Sequence, residues 1–346
     1  MRSSLASRIA VLGILLIASC PSKVFDGSVN GLRFTKPSAS LLVVGDADSY
    51  LKIAQVGYAT ASSRAYFPLY PLILRVAPDR FRWLWGLVFS NASFLLAAAL
   101  MYRLVLVYGW AEEEAARAVI YLSIFPGSHF FSVLMSESLF LLLCVGSLLA
   151  ARKRRWLLAG ICAALASATR APGIALLPAL AVELWVAYRT VWRREIGVLA
   201  IAPLGLLAFS GWLWRSAGDP LAFVHAQTQF HNTMWTAPVI GFLRHPSVFH
   251  MWAFYPLYLL STVIWITSAV WLVYKRQWAL ATFTGASLSV ILIAFPLATN
   301  RYLLGAFPAF ILLALWFRGE WYTIISASGM AVLTVLYAAH YGLAAT

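Results

Sequence analysis

The sequence predicts an all-α polytopic membrane protein, on three observations. Its 346 residues are 62% hydrophobic and only 11% charged, where a soluble domain is about 25% charged. Apolar runs of about 20 residues recur along the whole length, each enough to cross a bilayer core of about 30 Å. Short basic clusters separate those runs, as the positive-inside rule requires of cytoplasmic loops.

The net charge of +14 does not indicate a nucleic-acid binder, because the basic residues lie scattered between apolar segments. Part of the excess suits anionic membrane lipids or a phosphate-bearing substrate. Cys144 and Cys162 fall inside apolar segments, and with Cys20 they show no metal-ligand or disulfide spacing.

Residues 1–20 carry Arg2 and Arg8 before an apolar run. This has the look of a signal peptide, but the expectation is a short first span with a cytoplasmic N-terminus. Residues 21–82 are too polar to span and form the first extracytoplasmic loop, with a helix over 69–76 lying in the interface. Spans are then expected at 83–108, from 118, from 136 to 151, and at 156–169, 174–188 and 196–214. Residues 215–250 make a second extracytoplasmic loop. Further spans follow at 251–274, 278–298, 303–317 and 321–340, about 11 in all, within one integral membrane domain over 1–346.

Arg152-Lys153-Arg154-Arg155 is the strongest topological anchor and fixes its turn in the cytoplasm. With that turn inside, five polar groups emerge on the outer face: the Asp46 loop, Ser136-Glu137-Ser138, Arg170, the His225 loop and Arg301. A charge at mid-bilayer costs about 2.5–3.5 kcal/mol on insertion scales, so their convergence on one face points to a site.

Each group has a bland and a functional reading. Asp46 and Asp48 form a D-x-D, either two solvated carboxylates or a general base with a neighbour that binds acceptor or a divalent metal. Ser136 and Glu137 fit a helix N-cap and a first-turn acid, or a substrate contact. Arg170 and Arg301, with Tyr302 beside the latter, either snorkel or clamp a lipid phosphate bidentately. His225 and Gln227 read as substrate-loop residues, since the histidines lack metal spacing. Tyr50 and Phe67 complete the candidate substrate-binding set.

Five blocks in order carry a family resemblance: Gly45-Asp46 through Tyr58, Tyr66-Phe67-Pro68-Leu69-Tyr70-Pro71, Phe130-Phe131-Ser132 with Ser136-Glu137-Ser138-Leu139-Phe140, residues 154–173, and Asn300-Arg301-Tyr302-Leu303-Leu304. Together they resemble the GPI mannosyltransferase II (PIG-V-like) family of GT-C glycosyltransferases in its shorter bacterial form. The resemblance implies a GT-C fold and an active site on the periplasmic face of a bacterial inner membrane. It also implies a polyprenyl-phosphate-linked sugar donor, usually mannose, and inversion at the anomeric carbon. Asp46 matches the family's catalytic acid position. Gly45 departs from the family's usual Trp, and Asp48 is an additional acid.

The acceptor is left open among lipid, glycan and protein. The competing readings are a GT-C transferase of arabinose, aminoarabinose or glucose, a lipid or sugar transporter or flippase, and a non-catalytic assembly partner. A transporter is disfavoured because no internal repeat occurs and the polar groups crowd one face rather than mid-span.

Overall fold

The computed structural model describes residues 46–125, 127–189, 194–227, 255–294, 299–322, 324–325 and 328–329. Among them every regular element is helical. The expected first span, residues 228–250 of the second outer loop and most of the last span lie outside the described residues.

The stretch expected as a loop is largely helical. Helix α1 spans Asp46–Val56, a 3₁₀ turn spans Ser62–Ala65, and α2 spans Leu69–Leu74. Ala47, Tyr50, Ile53 and Ala54 are the buried positions that make α1 amphipathic. Tyr50 sets its ring edge-on to both Tyr66, at 5.2 Å, and Tyr70, at 5.0 Å. The Tyr70 hydroxyl lies 2.8 Å from Ser90 Oγ. These rings tie α1 and the aromatic-proline run to α3, Arg82–Val107.

The remaining helices follow the apolar runs. They are α4 Glu112–Ile124, α5 Glu137–Arg152, α6 Trp156–Thr169, α7 Leu176–Tyr188, α8 Gly197–Ile201, α9 Leu204–Ala217 and the short α10 Ala222–His225. After them come α11 Tyr255–Tyr274, α12 Trp278–Ala294, α13 Thr299–Leu303 and α14 Ala309–Trp316. Among the described residues three stretches are long and apolar enough to cross a membrane: Asp79–Val107, Ala171–Tyr188 and Gly197–Ala217. The expected spans at 156–169, 251–274 and 278–298 are met by shorter apolar helices among the described residues.

Helix α5 packs between α3 and α6 at the centre, and α4 packs on α14. Helix α6 is lined with small residues, Ala159, Gly160, Ala163, Ala166 and Ser167, all buried. Small side chains let backbones approach closely in a membrane bundle. A Cβ on Gly205 of α9 would collide with the Ala164 carbonyl, and one on Gly173 would sit 2.5 Å from the Ala166 backbone. Those two contacts hold the end of α6, and Arg170 with it, against its neighbours.

Among the described residues three other than glycine adopt the left-handed backbone, Arg154, Arg189 and Arg276. That conformation costs a residue with a Cβ roughly 1–2 kcal/mol. All three close helices at the same end of the bundle, opposite Asp46.

Candidate active site

The site is built on helix ends. Asp46 opens α1, Ser136 and Glu137 open α5, and Arg170 follows α6 in extended conformation, φ −157° and ψ 148°. Arg301 lies on α13. A Cβ on Gly305 would overlap the Phe140 ring, so glycine lets the turn after α13 lie directly on α5. Phe140 stands one turn beyond Glu137, and this contact brings Arg301 to the carboxylates.

Arg301 is held by two acids. Its Nη1 donates to Asp46 Oδ2 and its Nε to Glu137 Oε1. Arg170 Nη1 also donates to Glu137 Oε1, at 2.6 Å, and to Ser136 Oγ, at 3.3 Å. The Tyr66 hydroxyl donates to Asp46 Oδ1 at 2.8 Å, and the Tyr50 and Ser136 hydroxyls are 2.8 Å apart. Aromatic rings flank both cations: Arg170 Cζ lies 4.3 Å from the Tyr302 ring centre and Arg301 Cζ 4.9 Å from that of Phe130. Two carboxylates and two guanidiniums balance to zero net charge. That balance lets the cluster be buried without a large uncompensated desolvation cost.

Two oxygens differ from the rest. Asp46 is 29% exposed at its side chain, so it is reachable from outside the bundle. Glu137 Oε2 is buried and has no hydrogen-bond partner among the described residues, leaving an acceptor oxygen inside the cluster. Burial pushes the Asp46 pKa up, but Arg301 beside it and the hydrogen bonds from Arg301 and Tyr66 outweigh that. The carboxyl is held below its ordinary value. Burial first, and then the Asp46 charge, push the Tyr66 phenol up, so it remains a proton donor.

Of the residues expected from sequence, Asp46, Tyr50, Glu137, Arg170, Arg301 and Tyr302 come together. Asp48 faces away: two helical residues turn it about 200° from Asp46, and it pairs with Lys52 on the same helix. The D-x-D therefore does not fit a shared metal ion, since its carboxylates point apart and each is matched by a cation. Among the described residues no group of three His, Cys, Asp or Glu side chains could hold a metal. Phe67 sits on the flank, in an aromatic cluster with Phe209 and Phe223. His225 is exposed and pairs with Asp219 at 2.7 Å, while Gln227 Nε2 reaches the Ala65 carbonyl at 3.4 Å. These residues border the Tyr66 turn rather than the ion cluster.

Tyr66, the neighbour of the expected Phe67, is the ring that touches Asp46, and of the two readings of Ser136 the side-chain cap is not the one observed. Ser136 makes no side-chain cap bond; its hydroxyl faces Tyr50 and Arg170. Phe130 was visible only as part of a motif block.

A family model described as mannosyltransferase (PIG-V) matches residues 16–203. That is more than half of the chain, and it takes in Asp46, Tyr66, Glu137 and Arg170. The chain belongs to the PIG-V mannosyltransferase family. No curated protein and no solved structure matches it. As a PIG-V family member it is a membrane glycosyltransferase, and its all-helical architecture with membrane-length apolar helices agrees with that. Arg301 lies beyond the matched stretch, yet it bonds to two PIG-V-region carboxylates.

Proposed function

We propose that the protein is an inverting mannosyltransferase that moves mannose from a polyprenyl-phosphate donor to an acceptor hydroxyl on the extracytoplasmic face. The observation that carries this reading is Arg301 shared between Asp46 and Glu137. A base for the acceptor and a cation for a departing phosphate thereby stand side by side.

In the reaction, the acceptor hydroxyl gives its proton to an Asp46 carboxylate oxygen as its own oxygen attacks the anomeric carbon. The bond from that carbon to the phosphate oxygen breaks on the opposite side, which inverts the centre. The electron pair leaves with the polyprenyl phosphate. Arg301, backed by Arg170, meets the charge that grows there. Tyr66 orients the Asp46 carboxylate, and Glu137 Oε2 is placed to accept a sugar hydroxyl. Trp212, exposed and stacked on Phe209 of the flanking aromatic cluster, offers apolar surface to the prenyl chain. The cluster opens at the end of α5 away from the Arg152 turn, which supports an extracytoplasmic site in an inner membrane and a GT-C arrangement.

The acceptor class, whether lipid, glycan or protein, is read out by the test. Membranes with wild-type or Asp46→Asn protein are incubated with polyprenyl-phosphate-linked mannose, arabinose or glucose, and products are followed by mass spectrometry. A mannosylated product that needs Asp46 is the expected result. Transfer from another donor alone changes the sugar. Substrate movement without a glycosidic product overturns the reading in favour of transport.

A further inference from the structure

The end of the bundle far from the site carries a second organised charge cluster. Helix α5 runs from Glu137 in the site to Arg152, a separation of about 22 Å. At that far end Arg154, Arg189 and Arg276 are exposed and hold the left-handed backbone. At four other left-handed positions among the described residues the chain uses glycine, the residue that conformation favours. A feature that costs stability three times, always with the same side chain, points to a use for that side chain.

Contacts gather the three turns on one face. Arg154 Cζ lies 5.3 Å from the ring centre of Tyr188, the neighbour of Arg189. Arg152 Nη1 pairs with buried Glu183 of α7 at 3.2 Å, and Glu183 also accepts from Tyr108. Gln277, next to Arg276, donates to the Tyr108 carbonyl at 3.5 Å. Lys153, Arg155 and Lys275 are exposed beside them. At the nearby start of α4, Glu113 and Glu114 are matched by Arg117 and Arg318. Glu112, which precedes them, is exposed. Tyr274 and Trp278, exposed on either side of Arg276, are the aromatics expected at headgroup level.

We propose that Arg154, Arg189 and Arg276 form a collar that binds anionic phospholipid headgroups at the membrane surface opposite the site. A guanidinium pairs bidentately with a lipid phosphate. Each basic residue near a charged bilayer adds about five-fold in anionic-lipid affinity, so the three together add about a hundred-fold.

The test places the full chain in phosphatidylcholine vesicles with and without phosphatidylglycerol. It reads the thermal midpoint and the phosphatidylglycerol retained in native mass spectrometry. The expected result is a higher midpoint with phosphatidylglycerol for the wild type. The Arg154→Gly, Arg189→Gly, Arg276→Gly triple variant loses that rise and about a hundred-fold in retained lipid. In phosphatidylcholine alone the triple variant melts no lower than the wild type, because glycine relieves the backbone. Replacement of all three by lysine keeps most of the rise. A glycine variant with the full rise, or a midpoint below wild type in phosphatidylcholine, overturns the proposal. So does an equal rise from inorganic phosphate. If the triple variant does not assemble, a wild type indifferent to phosphatidylglycerol overturns it as well. The collar is remote from Asp46, so its failure leaves the catalytic reading untouched.

Discussion

Arg170 and Glu137 form a 2.6 Å ion pair, with both side chains more than nine-tenths buried. It joins the end of α6 to the start of α5, two helices that run antiparallel through the centre of the bundle. Glu137 Oε1 also takes Arg301, so one carboxylate oxygen holds two guanidiniums in place. Removing it leaves both cations buried without that partner. Breaking a buried pair costs about 3–5 kcal/mol. Glu137→Ala therefore lowers the thermal midpoint in detergent sharply, whereas Glu137→Gln, which keeps the shape and an acceptor oxygen, loses less stability but still loses transfer.

Asp46→Asn removes the proposed proton acceptor and keeps the side-chain volume. Transfer falls by about 10²- to 10⁴-fold, the usual worth of general base catalysis, while expression persists and the melting midpoint falls less than in Glu137→Ala, since Asp46 holds one guanidinium where Glu137 holds two. A variant that retains wild-type turnover takes Asp46 out of the base role.

The pH dependence follows from the lowered Asp46 pKa. Its folded value lies below the ordinary 3.8. The stability it contributes is therefore complete above that ordinary value and is lost as pH falls through the folded one. The carboxylate is equally available to catalysis across neutral pH, so kcat/KM for the acceptor has no acid limb above about pH 5 that is due to Asp46. Tyr66→Phe deletes one of the hydrogen bonds that hold the value down. It moves the acid limb upward, measured as the shift between the two pH profiles.

Gly305→Ala tests the positioning of Arg301 without touching it. The added methyl meets Phe140 and pushes the turn after α13 off α5, an overpacking that costs about 1–3 kcal/mol. Arg301 then sits farther from Glu137, and the KM for the lipid-linked donor rises. Phe140→Leu in the same background makes room and restores part of the loss.

Asp48→Asn leaves transfer near wild type, because Asp48 points away from Asp46 and pairs with Lys52. A large loss, together with inhibition by a chelator, would restore the D-x-D as a metal pair.

The helices were legible in the sequence because they depend on local properties. Apolar runs and basic turns are read along the chain, and α3, α7 and α9 fall where expected. Asp46 was legible because it sits in an unusually polar stretch among apolar ones. That the stretch is helical was not: Asp46 and Asp48 look like neighbours in a string, and only a helical period of 3.6 residues sets them on opposite sides. Tyr66 and Phe67 were indistinguishable for a similar reason, since which ring meets Asp46 depends on the 3₁₀ turn that precedes them.

The sequence by itself determined a membrane-embedded helical chain, its family, and the pool of charged residues from which a site could be made. Only the tertiary structure decided which of them meet. Arg301 reaches Asp46 across 255 positions and Glu137 across 164, and no local rule spans such distances. Those pairings rest on backbone contacts at Gly173 and Gly205 and on the Phe140 ring against Gly305, where the absence of a side chain sets how closely, and at what height, one helix end lies against another.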